Sequence, residues 1–244
     1  MSDSDLKQSM EMLGHPEDNY TIEDLSRIRK MIAVRMTRSA QNIPHFPAEA
    51  LIDFRAALRA RKHYIDEGLK VSVNDMIMKI AALTLKAMPD VNCGYVEGKR
   101  VRYSRINVAA AVAIDEGLMT PVVKDADQKP ISVIAEEMID LAARAQTRRL
   151  KPDEYGEATF TVSNLGMFGV SRFGSIINEG QAAILSIGGL QTPLEFDPGG
   201  SVIEGAKIAV TLTSDHRLVD GAMSAKWLKA FSEIANEPEL IFAT

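Results

Sequence analysis

The chain has 244 residues, 46% of them hydrophobic, with 28 basic and 33 acidic side chains and a formal net charge of -5. This suits one large α/β domain or two small ones, of which one is favoured, and basic residues scattered rather than massed exclude an electrostatic footprint for nucleic acid or an anionic membrane. The single cysteine, Cys93, excludes an internal disulfide framework or a multi-cysteine metal site and suits a reducing compartment. No apolar run approaches the roughly 20 residues of a membrane helix, and the acidic, polar amino terminus is unlike a secretory signal. A soluble intracellular protein with a small-molecule or protein partner is expected.

Residues 1 to 20 carry several charges and no sustained apolar period, which reads as a linker or mobile arm before a domain spanning 21 to 244. From Leu25 to about Ala40, Ile28, Met31, Ile32 and Met36 recur at helical spacing, and Pro44 closes the segment. At about 100 degrees per residue Arg35 projects between Met31 and Ile32, so its guanidinium is expected to point inward and to need a carboxylate. A short extended stretch from His45 to Ile52 precedes a helix capped by Asp53 and ended by Gly68. "SVND" at 72 to 75 has the form of a capping box ahead of Met76, Ile77, Ile80, Leu83 and Ala87, which repeat on one helix face. Residues 106 to 114 and 118 to 123 read as strands around the turn "DEG", and Ser132 to Arg148 returns to helical periodicity.

In "ATFTVSNLG", residues 158 to 166, Ala158, Phe160 and Val162 alternate with Thr159, Thr161 and Ser163, the period of a half-buried strand with Ser163 ending the polar row. "QAAILSIGGL" reads as a buried strand. "GAKIAVTLTS" alternates Ile208, Val210 and Leu212 against Lys207, Ala209, Thr211 and Thr213. From Gly221 onward Met223, Trp227, Leu228, Phe231, Ile234 and Ala235 form a helix face. The mixture of helices and strands predicts a layered α/β fold, with His216 and Asp220 in a strand-to-helix connection where a scaffold presents side chains to a cleft.

A loop histidine at a strand end suits general-base chemistry, although by spacing alone a hydrogen-bonded structural histidine is the commoner outcome. Asp220 is equally well read as a helix cap. His216, Asp220 and Ser163 superficially suggest a hydrolase triad, but Ser163 does not sit in a G-x-S-x-G elbow. The four histidines lack zinc spacing, so no metal is expected. "NLGMFGV" and "SIGGL" lack the P-loop lysine and the G-x-G-x-x-G register, and their glycines read as turns and bends.

Four segments together, "SDHRLVDGA", "TFTVSNLGMFG", "EGLMTPVVKDAD" and "RIRKMIAVRMTRSAQNIPHF", resemble the catalytic domain of the dihydrolipoamide acyltransferases, the E2 components of 2-oxo acid dehydrogenase complexes. The resemblance covers about residues 21 to 244. It implies a chloramphenicol acetyltransferase-like fold, a two-layer α/β sandwich with a mixed β-sheet, and acyl transfer between S-acyldihydrolipoamide and coenzyme A, with "QNIPHF" pointing to the pyruvate-type acetyl reaction. It also implies that His216 is the general base toward the thiol and that Ser163 is a hydrogen-bond donor to the tetrahedral oxyanion. Asp220 becomes a structural residue paired with an arginine, for which Arg35 is preferred and Arg217 is the competitor.

By the same resemblance, the chain forms a homotrimer with His216 and Ser163 contributed by adjacent copies, assembling into a 24-mer or 60-mer core through its carboxy terminus. Ile241 and Phe242 are the candidate contacts there, unless they cap their own subunit. Coenzyme A and the lipoyl group are substrates, a lipoyl domain and the E1 and E3 components are partners, and the compartment is the cytoplasm or, second, the mitochondrial matrix. No lipoyl domain or subunit-binding domain is recognisable within the 244 residues, and "PAEALIDF" after Phe46 is less strand-like than that resemblance implies. The alternatives are a non-catalytic core subunit and a CoA-dependent acyltransferase with another acceptor.

Overall fold

A computed structural model describes residues 3–16, 19–114 and 117–243. The chain opens with α1 (Asp3–Met12) and α2 (Arg27–Asn42), followed by β1 (His45–Asp53), α3 (Arg55–Asp66) and α4 (Val73–Ala87). Six short strands come next: β2 (Cys93–Val96), β3 (Lys99–Arg102), β4 (Val108–Ala110), β5 (Val112–Ile114), β6 (Gly117–Met119) and β7 (Val122–Val123). Then come α5 (Ile131–Gln146), β8 (Phe160–Asn164), β9 (Ala183–Gln191), β10 (Leu194–Phe196), β11 (Val202–Glu204), β12 (Lys207–Asp215), α6 (Gly221–Ala235) and α7 (Pro238–Phe242).

Among the described residues, the main sheet runs in the order β1-β12-β9-β8-β4-β7. It is mixed: β12 is antiparallel to both β1 and β9, while β8 is parallel to both β9 and β4. Helices α4 and α6 pack on one face of it, giving the expected layered α/β arrangement. Trp227 of α6 stacks between Phe160 and Phe231, with ring centroids 5.5 Å away on either side. All three are fully buried, each contributing about 1.5 to 3 kcal/mol. Helix α4 begins as its sequence predicts, with the Ser72 hydroxyl accepting from Asp75 N at 3.1 Å and the Asp75 carboxylate accepting from Ser72 N at 2.7 Å.

Several expectations are corrected. Part of the presumed arm is the helix α1, on which Leu6 and Met10, four residues apart, are half-buried; residues 1, 2, 17 and 18 lie outside the described ones. The stretch after Phe46 continues a nine-residue strand that begins at His45, and Pro47 is tolerated because β1 is an edge strand, where a missing N–H need not break the ladder. Asp53 does not cap α3. Phe54 holds the N-cap position, and Asp53 instead accepts from the backbone and guanidinium of Arg55. The expected turn at 115 to 117 lies, but for Gly117, outside the described residues.

The polar row of the sheet is not solvated. Thr161, Ser186, Thr211 and Thr213 are buried beneath the segment 170–181, which crosses the face opposite the helices and bonds to it. Ser175 and Ser186 share a 2.6 Å hydrogen bond, Asn178 donates to Thr161 at 3.0 Å, and Thr161 donates to Gln181 at 2.8 Å. Alternation therefore reports two differently covered faces here, with the buried hydroxyls of Thr161 and Ser186 satisfied by hydrogen bonds and that of Thr213 left without a partner among the described residues. Gly188 makes the close approach possible, because a Cβ there would lie 2.0 Å from the Ser171 carbonyl oxygen; its role is approach within a strand rather than a turn.

The carboxy terminus also differs from the preferred expectation. Ile241 is 0% and Phe242 6% exposed, and the Phe242 ring stacks on Tyr64 at 4.3 Å with planes 9° apart. Helices α3, α4 and α6 of the same chain cover both residues, so their apolar character is accounted for without a neighbouring molecule.

Candidate active site

His216 follows the last residue of β12. Its backbone N–H donates to Pro44 O at 3.0 Å, so the ladder between β12 and β1, in which Asp215 faces His45, continues one step past the strand. The imidazole is exposed, makes no hydrogen bond among the described residues, and packs edge-on against Phe46, with centroids 4.9 Å apart and planes at 79°. A cleft of about 520 Å³ lies beside this anchor, lined by residues 40–45 and Ile176. One wall is His45, whose Nε2 accepts from Ile177 N at 3.0 Å while Nδ1 faces Ile43 O at 2.7 Å. That pair of partners assigns the neutral tautomer with its proton on Nδ1.

The flanks of His216 are tightly held. Asp215 is buried and receives both prongs of the Arg217 guanidinium, at 2.9 and 2.7 Å. This interaction, ahead of the other causes, holds Arg217 above the ordinary arginine range. The guanidinium also lies 3.8 Å over the Tyr95 ring. Leu218 and Val219 both donate to Asp215 O at 2.9 Å, and Arg100 donates to Leu218 O. Asp215, Tyr95, Arg100 and Phe46 were not singled out from the sequence. "DHR" carried a signal for the first, but the β2–β3 hairpin residues approach only through tertiary packing.

Asp220 is exposed and caps α6, accepting from Met223 N at 2.8 Å. Within this chain it meets neither proposed arginine: Arg217 is committed to Asp215, and Arg35 is exposed and reaches no carboxylate among the described residues. The inward orientation expected for Arg35 is corrected. Of the stripe it belongs to, Ile28, Ile32 and Met36 are half-buried against their own chain, while Met31 at 55% and the adjacent Val34 at 68% stay exposed. Arg35 lines a cleft of about 490 Å³ along α2 with Leu25, Met31 and Val34. An amphipathic stripe signals that a cover exists but not that the same chain supplies it.

Ser163 lies near the end of β8, half-buried, with no hydrogen-bond partner for its hydroxyl among the described residues. The turn after it is fixed by Asn164, whose side-chain oxygen accepts from Gly166 N at 2.9 Å, and by Leu165 N donating to Ile187 O at 3.1 Å. Register places Ser163 far from His216. Ser163 pairs with Ser186, and Ser186 with Thr211, five residues before His216. Five residues along a strand and two strands across amount to about 17 Å and about 10 Å, or about 20 Å in all. One chain therefore does not bring the two together. Among the described residues no group of three or more His, Cys, Asp or Glu side chains is placed to hold a metal.

A mixed sheet layered with helices, carrying a free imidazole on a braced loop at a strand end, defines an α/β scaffold suited to general-base chemistry. Residues 17–243 match 2-oxoacid dehydrogenases acyltransferase (catalytic domain), and the chain belongs to that family. It is 39% identical over 224 residues to the dihydrolipoyllysine-residue acetyltransferase component of the pyruvate dehydrogenase complex of Zymomonas mobilis, covering 90% of this chain and 50% of that one. It is 40% identical over 231 residues to component 2 of the mitochondrial counterpart of Arabidopsis thaliana, covering 92% and 43%. In structure it is similar to a probable dihydrolipoamide acetyltransferase from Listeria monocytogenes, with a TM-score of 0.84 at 29% identity, covering 91% and 96%. The chain thus spans about half the length of the relatives it matches.

Proposed function

We propose that residues 21 to 244 form a dihydrolipoamide acyltransferase unit that moves an acetyl group between S-acetyldihydrolipoamide and coenzyme A. The observation that carries this reading is the exposed imidazole of His216, free of hydrogen bonds on a loop whose neighbours on both sides are held. A thiol is only a few per cent thiolate near neutrality, so a base at the reacting sulfur raises the nucleophile where it is used. Neutral His216 takes the proton from the coenzyme A thiol, and the sulfur attacks the thioester carbonyl carbon to give a tetrahedral oxyanion. Collapse breaks the bond to the lipoyl sulfur, which leaves with the proton held by the imidazolium.

The oxyanion is stabilised by the Ser163 hydroxyl, a contribution of about 3 kcal/mol for a well-placed donor. Because Ser163 and His216 stand apart in one chain, a second copy supplies the serine, and the unit is a homotrimer with its sites at the subunit seams. The exposed Met31 and Val34 on α2 support a subunit contact. A lipoyl domain delivers the acyl group and the E1 and E3 components complete the reaction cycle. The relatives' names as pyruvate dehydrogenase complex components support this reading, under which the protein works in a bacterial cytoplasm or, second, in the mitochondrial matrix. Acetyl transfer from acetyl-CoA to free dihydrolipoamide tests the function. Turnover that falls at least about a thousandfold in His216→Ala is the expected result, and wild-type protein as inactive as the variant defeats it in favour of a scaffold.

A further inference from the structure

The side chain of His216 is held by one ring contact, so the position of its nitrogen depends on the backbone of residues 215 to 219. We propose that Tyr95 and Arg100 are positioning residues that hold this backbone in register for proton transfer, an inference that rests on His216 being the base. The two are directly opposed across the β2–β3 hairpin, and in an antiparallel pair opposed residues project from the same face. Both reach the chain immediately after His216. The Tyr95 ring supports the Arg217 guanidinium at 3.8 Å, and Arg217 in turn grips the carboxylate of Asp215. Arg100 donates to the carbonyl of Leu218. A single cross-strand pair thus fastens both of the residues that follow the imidazole, and through Arg217 the residue that precedes it.

The hairpin is itself a rigid platform. Its two turn residues, Glu97 and Gly98, have φ of 48° and 81°, the positive pair of a tight turn whose twist matches that of the strands. It is seated on the body of the protein by close backbone approach: a Cβ on Gly94 would lie 2.2 Å from Gly180 O, and Asn92 donates to Arg105 O at 2.8 Å. Arg100 and Arg102 share Asp90 as a carboxylate partner, at 3.7 and 2.5 Å, which keeps Arg100 aimed along the hairpin. Among the described residues neither Tyr95 nor Arg100 makes a hydrogen bond or ring contact with the imidazole, so their effect on the reaction is exerted through the loop.

Four variants test this: Tyr95→Leu and Arg100→Gln to remove the contacts, Tyr95→Phe and Arg100→Lys to retain an aromatic face and a cation. The expected result is a fall in kcat of about tenfold to a hundredfold for the first two, the size of effect that a small misplacement of a reacting group produces. KM for coenzyme A stays within about twofold, and the conservative variants recover most of the loss. Hydrogen exchange of the His216 amide, read in the same proteins without substrate, rises at least about tenfold in Tyr95→Leu and Arg100→Gln, while the amides of α4 keep their protection. Unchanged kcat in an active enzyme overturns the proposal, and so does unchanged exchange at His216. If the wild-type protein shows no transfer, the acyltransferase reading falls by itself, and the exchange measurement still decides whether the hairpin holds the loop.

Discussion

Ser163 and His216 stand two strands and five residues apart in one sheet, because the strand that ends at the histidine runs antiparallel to the strand that leads to the serine. A site that needs both is therefore assembled from two copies of the chain. His216→Ala and Ser163→Ala proteins should each be strongly impaired. Unfolding and reassembling an equal mixture should restore about a quarter of wild-type activity, since about one seam in four then joins an intact histidine to an intact serine. Recovery no greater than the sum of the two variants contradicts a shared site.

Asp220 ends its own loop by capping α6. Asparagine caps as well as aspartate, so Asp220→Asn should retain both stability and turnover, whereas Asp220→Ala should lose about 1 kcal/mol in urea denaturation. A large loss in the asparagine variant instead shows that the negative charge matters, and an arginine from a neighbouring copy becomes the partner to seek.

Phe242 stacked on Tyr64 belongs to the subunit core. Phe242→Ala should cost about 3 kcal/mol of subunit stability and leave the sedimentation coefficient of the assembly unchanged. Dissociation of the assembly without a loss of subunit stability assigns the residue to an interface after all.

Arg144 donates to both oxygens of Glu154, and Lys151 N adds a bond at 2.7 Å. The arginine, ahead of the backbone bond, holds the Glu154 carboxyl down at about 2, below the value of about 4.3 of an unfolded glutamate. The folded value is the lower one, so this interaction contributes fully above the unfolded value and is lost as pH falls through the folded one. The Tm difference between wild type and Glu154→Gln should be constant from about pH 5 upward and shrink toward about pH 2. A difference that does not change with pH assigns the effect to packing.

The elements were legible in the residues because their causes are local. The Ser72 and Asp75 capping box, the period of Met76, Ile77 and Ile80, and the alternation that leads to His216 each depend on neighbours within a turn or two along the chain. The resemblance of four segments to one family then supplied a role for His216 that spacing left open. Other assignments depended on what packs against what. Arg35 lies beside Met31 on the side of α2 that its own chain leaves exposed, and Ile241 and Phe242 lie where the chain covers them, although all read alike as positions among apolar residues. Pro47 in an edge strand and the buried polar row at Thr161, Ser186 and Thr211 likewise follow from which strand lies outermost and which segment crosses the sheet.

What the sequence determined by itself was the longer helices and the strands of the main sheet, though not α1, α7 or the β2–β3 and β10–β11 hairpins, and the place of His216 between a strand and a helix, since backbone preference and side-chain period act over a few residues. What only the tertiary structure decided was the partner of each side chain: Asp215 rather than Asp220 for Arg217, Leu218 O for Arg100, and no hydrogen-bond partner among the described residues for the Ser163 hydroxyl. Pairing across a fold depends on three-dimensional distances set by sheet order and register, and these arise from the packing of the whole chain.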